Sequence, residues 1–349
     1  ARAHLVRYGI GSSGSAPMPP SSVQPDRPGI VVVLGMHRSG TSLCANLLQA
    51  LGIDMASEPS PSPENRRGHW ERPAINALND RVLAMFNRGW HQQAHVLSLP
   101  EGWWRDPRIG PIQDEIAALL QPMLAWSTPF GFKDPRTARL LPLWHGVFER
   151  LGVDPIYVYC IRDPAQVARS VAARDAFHRG QAEYRWLIYN ADAIAGVGDK
   201  NLCIVPYEDW FGSAGPNIRR LAAFVGAAGR DDAGHLDRIV AALVDAGLRH
   251  DDTAPDTVAR PICRKLHGAV LECVAAQGFG APLLEFCAWL RAFEQMVQPL
   301  LIETEILRVS VADQNRVIED LNALIRRLRQ ENGALRDKRP GAPMRVTEP

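Results

Sequence analysis

IVVVLGMHRSGTSLCANLLQAL, residues Ile30 to Leu51, decides the fold. The unbroken apolar run Ile30 to Leu34 predicts a short strand buried on both faces. Gly35 to Gly40 reads as a tight loop. From Thr41 the apolar residues Leu43, Leu47, Leu48 and Leu51 recur at helical spacing. A strand, a glycine-bounded loop and a helix N-terminus together aim backbone N–H groups at an anion. Arg38 adds a positive charge, Ser39, Thr41 and Ser42 add hydroxyl donors, and His37 lines the loop. Gly35 and Gly40 permit turns that a side chain obstructs. These features predict a phosphate cradle rather than a plain turn.

The loop is close to the nucleoside-triphosphate P-loop but departs from it. That motif ends in Gly-Lys-Ser/Thr. Here Thr41 follows Gly40 directly. The lysine that reaches a terminal phosphate is missing, so the case for ATP or GTP hydrolysis weakens while the backbone cradle survives.

Outward from this stretch, three further apolar runs read as strands: Phe130 to Lys133, Ile156 to Ile161 and Leu202 to Pro206. Helical patterns alternate with them at 73–87, 112–124, 140–151, 164–175, 181–197 and 217–226. Alternation of this kind predicts an α/β fold, a P-loop-type parallel sheet flanked by helices. In such sheets ligands bind beyond the C-terminal strand ends. Three of those ends carry charge: Arg38, then Arg162 with Asp163, then Glu208 with Asp209. The Arg162 guanidinium suits a phosphate, including one at the 3′ position of an adenosine. The Ser170 hydroxyl lies two helical turns on. Two anion cradles imply a nucleotide with phosphates at both ends.

After residue 226 the pattern turns helical, with segments at 236–248, 266–276 and 282–300 and a polar loop at 251–260. Further on, Leu307, Val311, Gln314, Ile318, Leu321, Ile325, Leu328, Asn332 and Leu335 alternate at spacings of four and three. β-Branched residues fill most of one seam and Leu most of the other. That heptad predicts a parallel two-stranded coiled coil, giving a homodimer, with Asn332 fixing register. The alternative is a helix that packs on its own domain. The expected organisation is a flexible segment 1–28, a nucleotide-binding α/β domain 29–226, a helical extension 227–300, a coiled-coil helix 301–336 and a disordered tail 337–349.

Charge is nearly balanced, 39 basic against 38 acidic residues, for a net charge of +1. Nothing there favours nucleic acid as a partner, and any electropositive region must be local. Six cysteines are scattered without a C-x-x-C pair, which favours buried thiols in a reducing compartment. No apolar stretch reaches the ~18 residues of a membrane span, and the first residues lack a signal-peptide core. The expected location is cytoplasmic, or membrane-associated through a partner. Nine tryptophans are present, and the group from Trp70 to Trp126 reads either as core or as a stacking wall for an acceptor.

Taken together, the motifs resemble those of the sulfotransferases that use 3′-phosphoadenosine 5′-phosphosulfate (PAPS), in the bacterial carbohydrate-type branch. His37 to Ser42 (HRSGTS) resembles the family's 5′-phosphosulfate loop. Ile161 to Ser170 (IRDPAQVARS) resembles its 3′-phosphate motif, which implies that role for Arg162 and Ser170. Tyr207 to Trp210 (YEDW) resembles a third motif, whose tyrosine lies near adenine. Phe132 to Arg136 (FKDPR) and the GHWE segment ending at Glu71 resemble two more landmarks. The resemblance spans about residues 30 to 225 and implies PAPS as donor, adenosine 3′,5′-bisphosphate (PAP) as product and an acceptor hydroxyl, on a carbohydrate or other compound. The family's C-terminal Arg-x-Gly loop is not evident, and the coiled coil lies outside the common fold.

Sulfuryl transfer needs a base near the acceptor hydroxyl and charge neutralisation on the leaving phosphate. Glu71 is the candidate base, with His69 and Asp134 as rivals and His178 and His37 behind them. Arg38 is the candidate for stabilising the leaving group, and Lys133 for contacting the sulfuryl group or acceptor. No residues have metal-ligand spacing, and the reaction requires no metal. The competing readings are an atypical P-loop kinase and a coiled-coil scaffold with a non-catalytic nucleotide domain.

Overall fold

The computed structural model describes residues 29–56, 61, 68–90, 97–125, 129–175, 177–227, 234–245 and 259–337. Expectations for 1–28, most of 57–67, Trp126, 246–258 and 338–349 lie outside these residues. β1 (Ile30–Leu34), β2 (Phe130–Lys133), β3 (Ile156–Ile161) and β4 (Leu202–Pro206) form one parallel sheet in the order β2-β1-β3-β4. The strand bounds match the apolar runs because every residue in the four strands is buried. β1 pairs Val33 with Lys133 on one side and Leu34 with Tyr159 on the other, so the strands end along one edge. From β1 the chain goes to β2 on one side, then crosses back to β3 on the other. A topological switch therefore opens between β1 and β3, where open parallel sheets bind ligands.

Alternation along β1 divides the core in two. Val31 and Val33 face the layer of α1 (Thr41–Ala50), α8 (Ala214–Phe224) and α9 (His235–Leu243), which also takes in Trp210 from the short α7 (Asp209–Gly212). Ile30, Val32 and Leu34 face a thicker layer. It comprises α2 (Pro73–Met85), α3 (Ile109–Leu124), α4 (Leu141–Leu151), α5 (Pro164–Asp175), α6 (Arg179–Val197), α10 (Pro261–Glu272) and the start of α11 (Ala281–Asp337).

Helix ends differ from expectation for local reasons. α2 stops at Met85 rather than Asn87, because Asn87 takes a left-handed φ of 57°. α7 and α8 start at Asp209 and Ala214, so the YEDW segment opens a helical turn. α9 ends at Leu243, where Val244 becomes extended. α10 begins at Pro261, whose fixed φ suits a first turn, and it ends at Glu272 rather than at 276.

The segments 282–300 and 301–336, distinct in sequence pattern, are a single helix of 57 residues that passes through Pro299. At 1.5 Å per residue it is about 85 Å long. Its first turns are anchored. Leu283, Cys287 and Leu290 are buried, and the buried Glu294 carboxylate accepts from both the backbone N–H, at 3.1 Å, and the hydroxyl of Ser98. Gln298 donates to the Ser98 carbonyl at 3.0 Å. Beyond Leu300 the predicted seam is open: Leu307, Val311, Ile318, Leu321, Ile325 and Leu328 are all exposed. The alternative in which this stretch packs on its own domain does not hold for them.

Candidate functional site

The switch point is built by the loop leaving β1. Arg38 and Gly40 take left-handed φ of 69° and 84°. A Cβ on Gly40 would fall 2.4 Å from Cδ2 of Tyr207, and one on Gly35 2.5 Å from the Cys160 carbonyl oxygen. Glycine is therefore required at both positions for space as well as conformation. Gly40 caps α1 and supplies no side-chain acceptor, and the first turn of α1 holds no acid. The orphan N–H groups of that turn and the helix dipole thus face the loop without a capping side chain. Ser39 Oγ is buried and has no hydrogen-bond partner, while Thr41 is buried and Ser42 half-buried beside it.

The turn after β3 meets this loop directly. Arg38 Nε donates to Ser170 Oγ at 2.8 Å, and Arg162 Nη1 donates to the Arg38 carbonyl at 3.3 Å. Arg162 also donates twice to Gln166 Oε1, at 3.1 and 2.9 Å, and its guanidinium lies 4.2 Å from the centre of the Tyr207 ring. Glu208 accepts from the Asp163 N–H at 3.0 Å, which ties the end of β4 to the same turn. His37, Arg38, Ser39, Gly40, Thr41, Ser42, Arg162, Ser170 and Tyr207 thus form one contiguous group. The two cradles read separately in the sequence touch each other.

Glu71 and Lys133 meet at the end of β2. Lys133 Nζ lies 2.5 Å from Glu71 Oε1, and Asn76 donates to Glu71 Oε2 at 2.6 Å. Lys133 is buried, and burial lowers its pKa despite the facing carboxylate. Burial pushes the Glu71 carboxyl up, but Lys133 and the Asn76 hydrogen bond outweigh this and hold it below the ordinary value. Glu71 is therefore ionised at neutral pH and already bonded to two donors. His69 is half-buried two residues before it.

Asp134 is not available as a base. Its carboxylate accepts from the Arg136 N–H at 3.0 Å, the Arg136 guanidinium at 2.9 Å and Asn79 at 2.9 Å, and it caps the 3₁₀ turn Pro135–Arg139. His178 caps α6 by accepting from the Gly180 N–H. Arg260 pairs with Glu183 at 3.1 Å.

His37 sits between these groups and an aromatic cluster. Its ring centre lies 4.4 Å from that of Trp90 and 5.9 Å from that of Tyr189. Burial first, then the charges of Arg136, Arg174, Lys133 and Arg185, hold its pKa well below the usual value. It is a neutral imidazole, and its buried Nε2 has no hydrogen-bond partner. Arg38, Lys133, Arg136, Arg162, Arg174 and Arg185 concentrate cations here in a chain of net charge +1. Asn76, Trp90, Arg174, Arg185 and Tyr189 are the site residues that sequence reading missed. Trp90 carried a signal, as one of the clustered tryptophans, whereas Trp103 from that cluster is core.

Among the described residues no group of three His, Cys, Asp or Glu has the arrangement of a metal site, and no helix is long and apolar enough to cross a membrane. No protein-family profile matches the chain, and no curated protein matches it. Among solved structures it is similar to the sulfotransferase domain from the Synechococcus PCC 7002 olefin synthase, at 20% identity and a TM-score of 0.41, over 71% of this chain and 98% of that one. At that TM-score the likeness leaves the chemistry to be argued from this chain's own residues.

Proposed function

We propose that this chain is a sulfotransferase that moves a sulfuryl group from PAPS to a hydroxyl on a carbohydrate or related acceptor. The observation that carries the reading is the direct contact of the two cradles, Arg38 with Ser170 and Arg162 with the Arg38 carbonyl, at the β1/β3 switch. The residues present fit a nucleotide with an anion at each end. The uncapped N-terminus of α1 and the unpartnered Ser39 hydroxyl would hold the 5′-phosphosulfate. Arg162 and Ser170 would hold the 3′-phosphate, with Tyr207 beside adenine. A P-loop kinase reading has no lysine after Gly40 to support it.

In the reaction the acceptor oxygen forms a bond to sulfur, the bond from sulfur to the bridging oxygen breaks, and PAP leaves with that electron pair. Arg38 neutralises charge developing on the leaving phosphate, and Lys133 orients the transferring group. Glu71 takes the acceptor proton, which requires the acceptor to displace one of the donors now on its carboxylate. The deciding experiment is calorimetric titration with PAP and with ATP. Tighter binding of PAP supports the reading. Preference for ATP, or no binding of either, overturns it.

We propose further that the open heptad of α11 pairs in parallel with a second copy of this chain. Its seam positions Leu307, Val311, Ile318, Leu321, Ile325 and Leu328 are apolar and exposed, which a second copy of the helix would cover. A reducing, cytoplasmic setting is supported by six cysteines that are all free.

A further inference from the structure

Arg185, in α6, is a guanidinium with no acceptor where one is most needed. It is 1% exposed, and among the described residues none of its three nitrogens has a hydrogen-bond partner. A buried charge in that state is costly, the ring faces over which it lies offset only part of the cost, and a bound group is one of the things that can complete it. Its neighbours are aromatic faces: the Phe177 ring centre at 3.4 Å and the Trp90 ring centre at 4.3 Å. The carboxylate whose charge acts on it is already taken. Asp175 accepts from Arg174 Nε at 3.0 Å and from Arg174 Nη2 at 2.8 Å. Arg174 lies over the same Trp90 ring, at 5.3 Å. Arg139 also acts on it but pairs with Asp192 at 3.3 Å, so Arg174 and Arg185 share the single carboxylate of Asp175 and one positive charge is left without a partner.

This box adjoins the proposed transfer centre through a single side chain. His37 contacts Trp90, and the charges of Arg185 and Lys133 both bear on it. Its own Nε2 is buried without a partner, so two orphaned polar groups flank Trp90. His37 belongs to the phosphate loop by its backbone, whereas Arg185 makes no contact with either cradle among the described hydrogen bonds.

We infer that Arg185, between Trp90 and Phe177, is an acceptor subsite for a carboxylate carried on the molecule that receives the sulfuryl group. A planar carboxylate matches a guanidinium fork through two parallel bonds, and one negative charge matches the one that lacks a partner. The Trp90 and Phe177 rings, each with one face under Arg185, would bound the apolar or sugar-ring body that bears the carboxylate. His37 Nε2, as the neutral imidazole's second contact, would bind a hydroxyl near it. The acceptor class is therefore a hydroxylated acid rather than a neutral alcohol. This assignment rests on the sulfuryl-transfer reading for its place in the reaction, but not for the anion contact itself.

The test uses the full chain, with benzoate and its neutral isostere benzamide as probes, titrated by calorimetry with and without saturating PAP. Wild type is expected to bind benzoate at least about tenfold more tightly than benzamide. Arg185→Met is expected to lose that preference while keeping PAP affinity and a melting temperature at or above that of wild type, because it removes a buried unpaired charge. Arg185→Lys, which keeps charge without the fork, is expected to retain only part of the preference and serves if the methionine variant does not fold. Equal binding of the two probes by wild type, or a preference that survives both substitutions, overturns the subsite. Loss of PAP affinity in Arg185→Met would place the guanidinium in the nucleotide site and also overturn it. Failure of wild type to bind PAP would sink the donor assignment alone, because the benzoate comparison is read without nucleotide as well.

Discussion

Arg38 donates to the hydroxyl of Ser170 across 2.8 Å, joining two turns that lie 132 residues apart in the chain. The bond makes the loop after β1 and the helix after β3 one unit, with Arg162 bracing the same loop through the Arg38 carbonyl. A nucleotide that bridges the two turns would replace contacts the protein now makes with itself.

Arg162→Ala should therefore weaken PAP far more than it weakens adenosine 5′-phosphate. A charge-assisted hydrogen bond is worth about 1.5–3 kcal/mol, so the expected loss for PAP is roughly ten- to a hundredfold. Competition titration of the two nucleotides measures it, and equal losses for both would remove Arg162 from the 3′ end.

Gly40→Ala places a methyl group 2.4 Å from Tyr207 at a φ of 84°. Strain in that region costs of order 1–3 kcal/mol before the clash is counted. Both stability and PAP affinity should fall. In the Gly40→Ala/Tyr207→Ala double variant the collision is gone while the strained backbone remains, so stability should recover only in part relative to Tyr207→Ala. A full recovery in denaturant melts would show that the backbone conformation costs nothing.

Glu71→Gln should leave PAP binding intact and lower sulfuryl transfer to a hydroxylated acceptor by about 10²–10⁴, the usual contribution of a positioned base. It also leaves Lys133 buried opposite a neutral amide, so the melting temperature should drop. Glu71→Gln/Lys133→Met restores neutrality and should recover stability without recovering turnover. Turnover unchanged in Glu71→Gln would exclude Glu71 as the base and return attention to His69.

His37 makes stability depend on pH in a definite direction. Its folded pKa lies well below the ordinary 6.5, so on acidification the unfolded chain takes up a proton that the native chain refuses. Stability should fall as pH drops from 6.5 to about 5. His37→Gln should flatten that slope without abolishing it, because burial also depresses His145 and His267. Glu71 contributes at lower pH. Its depressed pKa stabilises the fold above the ordinary 4.5, and that contribution is lost as pH falls through the folded value. Melting curves at pH 7, 6, 5 and 4 on both proteins check the sign.

Leu321→Asp with Leu328→Asp places charges on the exposed seam of α11. Sedimentation should convert a dimer to a monomer while PAP affinity stays unchanged. A wild-type chain that sediments as a monomer at micromolar concentration would reject self-pairing.

What could be read from sequence was whatever is local or strictly periodic. The strands were legible because burial on both faces leaves nothing but apolar residues in them. The loop, the Arg162 turn and the heptad were legible because each needs particular residue types at fixed short spacing. The Glu71–Lys133 pair joins residues 62 apart, and no spacing rule announces which carboxylate a buried lysine finds. Arg185 was invisible for another reason. It lies in α6 among residues buried on nearly every side, where an arginine gives no hint of whether it reaches solvent, a carboxylate or an aromatic face.

The anchor of α11 has a mechanical consequence. Ser98 is gripped by Glu294 and Gln298, and its carbonyl also receives Arg88 Nε at 2.9 Å, two residues before Trp90. The anchored turns of α11 are thus joined, through Ser98 and Arg88, to the segment that ends at Trp90. If α11 pairs with a second copy, the partner's hold on that helix reaches, by this chain of hydrogen bonds, one wall of the proposed acceptor box.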